Sequence, residues 1–175
     1  EFSVCGNVLA SMDGIALALG CRKDEMTDFL AECLEHPIKP QVVADAPCHE
    51  NILTGEDIDL GRLPVPIHAP KDGGPIITGG VIVSKEIDGT RQNLSFQRMH
   101  VKGKDKFSIM INEWRHLKDF YDQAESQGKA LPIAVVIGAD PVIYVGAGLR
   151  YDGDETEIAG AIRKRPIEVV KCITS

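Results

Sequence analysis

Four polar side chains in this 175-residue sequence sit where local structure alone does not require them. Asn93 falls in a strand-forming segment, where asparagine is disfavoured; the alternative is a turn residue just after Asp88-Gly89. His116 lies on an amphipathic stretch, about 110° from the centre of its apolar stripe, free to face solvent or a polar site. Glu155 takes the first position of a short helix, either as a site carboxylate or as a surface acid complementing the helix dipole. Together they offer an amide oxygen, an imidazole nitrogen and a carboxylate. That set suits a divalent ion such as Mg²⁺ or Mn²⁺ better than zinc, which prefers thiolates. A single negative ligand leaves such an ion with charge to hold a phosphate as well. Arg98 is a guanidinium in an otherwise apolar and neutral segment, an ion-pair partner or a clamp for a carboxylate or phosphate.

Other chemistry leaves no signature. There is no G-x-G-x-x-G after a strand, no Walker loop and no G-x-S-x-G elbow. Cys5, Cys21, Cys33, Cys48 and Cys172 contain no C-x-x-C pair, which opposes a disulfide framework and a zinc knuckle. Their pattern predicts buried free thiols and favours a reducing cytoplasm. Lys and Arg number 19 against 26 Asp and Glu, and the net charge of −7 opposes nucleic-acid binding. Arg163-Lys164-Arg165 is the one dense basic run and reads as a solvated helix face. No apolar stretch is long enough to predict a membrane span. Glu1-Phe2-Ser3-Val4 has no signal-peptide pattern, and without an initiator Met the recorded start is not expected to be the start of translation.

The elements that must position these residues follow from periodicity. A hydrophobic content of 43% and this length predict one core-forming α+β domain. Met26, Phe29, Leu30, Cys33 and Leu34 form one helical face, predicting a helix over residues 23–36 that Pro37 ends. The proline-punctuated stretch 57–75 should run extended over a surface. Residues 76–87 read as one strand meeting the hairpin signal Asp88-Gly89, with 93–101 returning and 107–111 following. Asn112 can cap a helix over 113–127, stopped by Gly128, whose buried stripe would be Trp114, Leu117, Tyr121 and Ala124. Residues 133–137 predict a fully buried strand, 138–141 a loop, and 146–148 a glycine-containing stretch. Asp154 and Glu157 have capping-box spacing for a helix to Ile162, and 168–173 form the last strand. Asn93 and Arg98 are five apart, so on a flat strand they face opposite ways; a bulge, or a regular strand beginning after Asn93, would reconcile them.

Five segments, in order, resemble the UbiD family of prenylated-flavin-dependent decarboxylases. They are Gly74-Pro75-Ile76-Ile77-Thr78-Gly79-Gly80, Arg91-Gln92-Asn93-Leu94-Ser95-Phe96-Gln97-Arg98, Trp114-Arg115-His116, Gly138-Ala139-Asp140-Pro141, and Glu155 through Val170-Lys171-Cys172. The resemblance implies an incomplete, mainly antiparallel split β-barrel of the flavin-reductase type with flanking helices. Residues 1–60 would form a helical and extended N-terminal part, and 61–175 the flavin-binding part. It implies Mn²⁺ on Asn93, His116 and Glu155, anchoring the phosphate of prenylated FMN beside K⁺ held by carbonyls around 146–149. Thr78, Ser95, Phe96, Gln97 and Arg115 would line the cofactor, and Arg98 would orient the carboxylate of a small carboxylic acid substrate. The family is usually more than twice this long. The resemblance therefore also implies a central fragment of a homo-oligomeric enzyme, with the proton donor beyond Ser175. A flavin-phosphate-binding module without catalysis is the alternative.

Overall fold

Residues 78–80 and Gln97 each break what the sequence presents as one strand, and the breaks divide the middle of the chain between two sheets. In the computed structural model, which describes residues 2–174, β2 (Ile76–Ile77) and β3 (Val81–Lys85) replace the single strand predicted over 76–87. The return strand is likewise split into β4 (Gln92–Phe96) and β5 (Arg98–Val101). Gly80 marks the first crossing. A Cβ there would lie 2.7 Å from Met99 Cε and 3.0 Å from Val135 Cγ1, so the crossing packs too tightly for a side chain. Glu1 and Ser175, the outer bounds of the expected N- and C-terminal parts, lie outside the described residues.

One sheet has the order β4-β3-β7, with β7 spanning Ile133–Val136; the other is β2-β5-β6, with β6 spanning Phe107–Met110. Both are antiparallel and neither closes, giving an incomplete split barrel within an α+β fold. The predicted hairpin is present between β3 and β4: Glu86 N–H donates to Arg91 C=O at 3.0 Å, and Gly89 has a φ of +74°. Ile77, Ile82, Met99 and Leu117 fill the core between the two sheets. β7 is an edge strand with no layer outside it. Its expected full burial fails accordingly, with Val136 and Ile137 exposed.

The helices form the second half of the fold. α1 (Met12–Leu19) is unannounced by the sequence pattern and is capped by Ser11 Oγ, which accepts from Gly14 N–H at 3.0 Å. α2 (Met26–Glu35) is shorter at both ends than predicted and buries Met26 and Cys33. α3 (His116–Ser126) begins three residues later than expected, because Arg115 rather than Asn112 takes the position before the first turn. Trp114 is therefore outside the helix and 85% exposed, and the buried stripe is Leu117, Phe120 and Ala124 instead of one through Tyr121.

α4 (Pro141–Gly148) starts at the end of the predicted loop 138–141 and takes in the glycine-containing stretch 146–148; Asp140 caps it by accepting from Val142 N–H at 3.0 Å. α5 (Glu155–Arg163) follows. Ala16, Leu19, Met26, Cys33, Val142, Ile158 and Ile162 share one core, so α1 and α2 support α5. β1 (Gln41–Val43) pairs in parallel with β8 (Glu168–Val170), which is shorter than predicted. Of the stretch 57–75 expected to run extended, residues 64–68 carry no helix or strand, short 3₁₀ turns at Gly55–Asp57 and Leu60–Arg62 precede them, and residues 69–74 turn. All five cysteines are unpaired. Only Cys33 is buried, and Cys5, Cys48 and Cys172 are exposed, against the expected burial of all five. The basic run is not one helix face: Arg163 ends α5 in an ion pair with Asp140, and Lys164 is left-handed at φ +54°.

Candidate metal and cofactor site

β4 is an edge strand, and the candidate ligands gather around its open edge. Asn93 pairs with Ser84 and Ser95 with Ile82 across the β3–β4 ladder, so these side chains share one face. Gln92, Leu94 and Phe96 take the opposite face. On the Asn93 face, His116 opens α3, and its Nδ1 meets Asn93 Oδ1 at 3.1 Å. Around the edge, Glu155 opens α5, and its Oε2 accepts from Leu94 N–H at 2.8 Å. Three elements thus deliver an amide oxygen, an imidazole and a carboxylate to two consecutive residues of one strand.

Burial distinguishes these groups from surface side chains. Asn93 is 4% exposed and Glu155 only 3%, which removes both the turn and the surface-acid alternatives. Desolvation pushes the Glu155 carboxyl up to about 7, although the Leu94 N–H pulls the other way. Asp154 beside it raises it further and Arg91 lowers it. His116 is half-buried, and its Nε2 lies 3.9 Å from Oδ1 of the exposed Asp152.

Buried polar atoms without partners are uncommon in folded proteins. Among the described residues they are Ser84 Oγ, Arg91 Nε, Asn93 Nδ2, Ser95 Oγ and Gln97 Nε2, all within residues 84–97. All five lie on one hairpin and its continuation. His116 Nδ1 and Asn93 Oδ1 lie within hydrogen-bond distance of each other. Two adjacent ligands of an octahedral ion stand about 3 Å apart, matching the observed 3.1 Å. No three His, Cys, Asp or Glu among the described residues form a metal cluster, and this set becomes visible only when the asparagine is counted.

The remaining predicted residues spread outward. Ser95 and Gln97 are buried beside Asn93. Phe96 turns to the other face and stacks on Tyr144, with ring centres 5.8 Å apart. Thr78 is exposed at the first crossing and Arg115 is exposed ahead of α3. Arg98 is exposed at the start of β5. Met110 stands opposite it, so no cross-strand ion pair explains the arginine. The break at Gln97 resolves the odd spacing of Asn93 and Arg98 by placing them in different sheets. Three residues escape sequence reasoning. Ser84 faces Asn93, and Arg91 lies 5.1 Å over the Phe120 ring and bonds Glu86 at 3.1 Å. Gln92 bonds Asp154. A strand register would have been needed to find Ser84 and Gln92.

Residues 41–175 match the family model described as the 3-octaprenyl-4-hydroxybenzoate carboxy-lyase Rift-related domain, UbiD. The chain belongs to the UbiD family. It is similar to anhydromevalonate phosphate decarboxylase of Methanothermobacter thermautotrophicus, at 33% identity over 98% of this chain and 40% of that protein. Gallate decarboxylase of Lactiplantibacillus plantarum is 34% identical over 83% of this chain and 32% of its own length. Among solved structures, an evolved dimeric form of the UbiD-class enzyme HmfF from Pelotomaculum thermopropionicum, in complex with prFMN, superposes with a TM-score of 0.90. Identity to it is 33%, over 97% of this chain and 40% of that one. The chain spans about 40% of the length of the first of these relatives. No helix among the described residues is long and apolar enough to cross a membrane.

Proposed function

We propose that this chain carries the metal and flavin-phosphate site of a carboxy-lyase that acts on an aromatic or α,β-unsaturated carboxylic acid with prenylated FMN. The convergence of Asn93, His116 and Glu155 on β4 carries this reading. Decarboxylation is what the names of the relatives describe, and prFMN is what the HmfF structure contains. Asn93 Oδ1, the His116 ring and the Glu155 carboxylate would hold Mn²⁺, with the unpartnered Asn93 Nδ2, Ser95 Oγ and Gln97 Nε2 turned to the flavin and its phosphate. Thr78 and Arg115 extend that lining, whereas Phe96, on the opposite face against Tyr144, does not. The carbonyls around 146–149 end α4, where the helix dipole favours a cation, and would hold K⁺.

When bound, the modified flavin supplies an electron sink for the carbanion-like centre left as CO₂ departs. The protein's own work is placement. Arg98 has no cross-strand acid and is free to take the substrate carboxylate through its planar fork. The Asn93 and Ser95 face, backed by β3 and α3, keeps water from the buried donors. We assign binding to residues 61–175 and the support of α5 to residues 1–60. A complete enzyme would add the portion that the longer relatives possess, as a homo-oligomer. The unpaired cysteines, three of them exposed, support a reducing cytoplasmic setting.

Reconstitution with Mn²⁺ and prenylated FMN should give flavin-like absorbance that Asn93→Ala and Glu155→Ala abolish. Absence of binding and of any spectral change, with a protein of the relatives' length, would overturn the reading. A second reading is a flavin-phosphate-binding module without turnover, since the buried unpartnered polar atoms of residues 84–97 suit a bound phosphate whether or not turnover follows. CO₂ release by the 175-residue chain itself would exclude it.

A further inference from the structure

We infer that Gln92 is the positioning residue for the Glu155 carboxylate, acting through Asp154; this rests on the metal reading above. Gln92 Nε2 donates to both carboxylate oxygens of Asp154, at 3.2 and 3.0 Å. That carboxylate is already committed, because Asp154 Oδ1 accepts from Thr156 N–H at 2.8 Å and from the Thr156 hydroxyl, capping α5. The next residue is Glu155, held by Leu94 N–H at 2.8 Å. Two successive residues at the start of α5 are thus tied to two alternate residues of the same edge strand.

Neither tie fixes the carboxylate by itself. The Leu94 N–H contact sets where Glu155 Oε2 ends, but a glutamate has three rotatable bonds between backbone and carboxylate. The Gln92–Asp154 contact fixes the backbone from which that side chain starts. It does so from the face opposite Asn93, out of reach of the proposed ion, so its part is indirect. The chemistry also explains why an amide stands here. Asp154 must present acceptors to the α5 N–H groups, so its strand-side partner must be a donor. Gln92 supplies one without a net charge beside Glu155. A carboxylate at position 92 would face the Asp154 carboxylate and push the first turn of α5 off the strand.

The test is a Mn²⁺ titration of a protein of the relatives' length that contains this chain, with free Mn²⁺ read by electron paramagnetic resonance. Metal-free thermal unfolding is run in parallel on wild type, Asn93→Ala, Gln92→Glu and the reversal Gln92→Glu/Asp154→Asn. In the reversal, the asparagine Oδ1 still caps Thr156 while its Nδ2 donates to the new glutamate. Gln92→Glu should weaken Mn²⁺ binding about tenfold or more, as lost support of a metal ligand does, in a protein that remains folded. The reversal should restore affinity to near the wild-type value, which a merely structural role would not do. If Gln92→Glu does not fold, Gln92→Met removes the donor at similar length and carries the same expectation. Wild-type affinity in a folded Gln92 variant, with binding lost in Asn93→Ala, overturns this inference alone; so does failure of the folded reversal to recover. No Mn²⁺ uptake by wild type overturns the metal reading and this inference with it.

Discussion

Gly146 of α4 lies against the Glu155 backbone so closely that a Cβ at position 146 would be 2.9 Å from the Glu155 carbonyl oxygen. The residue that brings the buried carboxylate to β4 is therefore seated directly on a neighbouring helix. α4 in turn packs Ala147 with Val81 and Leu94, on the face of the β4 sheet opposite Asn93. Helix, glutamate and strand form one stack, and the geometry of the site depends on a contact that tolerates no side chain.

Gly146→Ala tests that dependence. The obstacle is backbone rather than the end of a flexible chain, so α5 must move. The substitution should destabilise by about 1–3 kcal/mol despite the better helix propensity of alanine. Proposed Mn²⁺ binding should weaken with it. Gly148→Ala is the control in the same helix: nothing lies within 4 Å of its added Cβ. It should leave stability unchanged or raise it by up to about 1 kcal/mol. Equal unfolding temperatures for the two variants would show that the 146–155 approach is not a constraint.

Asn93 should lower the stability of the metal-free protein that carries it. Its Nδ2 is buried without a partner, a situation that costs about 1–3 kcal/mol. Asn93→Ala removes that donor along with the ligand oxygen, and the small void offsets part of the gain. The variant should unfold within about 1 kcal/mol of wild type, while affinity for Mn²⁺ falls by a factor of about ten or more. A large loss of stability would mean that the amide oxygen serves as a structural acceptor for His116 Nδ1 and not as a ligand.

The same separation applies to Glu155→Gln. The amide oxygen can still accept from Leu94 N–H, so α5 stays docked, but the charge is gone. Burial penalises the ionised carboxylate, so at pH 8 the metal-free variant should be at least as stable as wild type. Mn²⁺ affinity should fall by about tenfold or more, which calorimetric titration would measure. Unchanged affinity would remove Glu155 from the ligand set.

Asn93, His116 and Glu155 are legible in the sequence because each is a polar side chain at odds with its segment, and the family motifs set their order. Ser84 and Gln92 are not. Serine in a strand and glutamine at a strand's start are ordinary until the register places one opposite Asn93 and the other against Asp154. The apolar run over 76–87 continues through the crossing at 78–80, whose cause is the crowding of Gly80 by Met99 and Val135, contacts distant in sequence. α4 is hidden for a related reason. Gly146 reads as part of a glycine-containing stretch, but it is present because α5 passes within van der Waals reach. Trp114 reads as core because helical periodicity runs back through it, whereas the helix starts at His116 with Arg115 before its first turn.

Asp140 and Arg163 supply a pH test away from the site. Burial raises the Asp140 pKa, but the Arg163 side chain, the Val142 N–H and the nearby positive charges outweigh it, and the carboxyl sits below its ordinary value. A carboxyl whose folded-state pKa is depressed stabilises the protein above its unfolded value and loses that contribution as pH falls through the folded one. Asp140 is about half exposed, so the effect is discounted to roughly 1 kcal/mol or less. Asp140→Asn keeps the cap on Val142 N–H and removes the charge. Wild type should exceed the variant in stability above the ordinary carboxylate range, and the difference should be lost as pH falls through the lower folded-state value. Salt at about 0.5 M should shrink it at neutral pH. Arg163→Ala should cost more than Asp140→Asn, because Arg163 also donates to Ala18 C=O at 3.1 Å and so ties α1 to α5. Urea unfolding across this pH range measures all three. No difference between wild type and Asp140→Asn at any pH would assign the Asp140 contribution to capping alone.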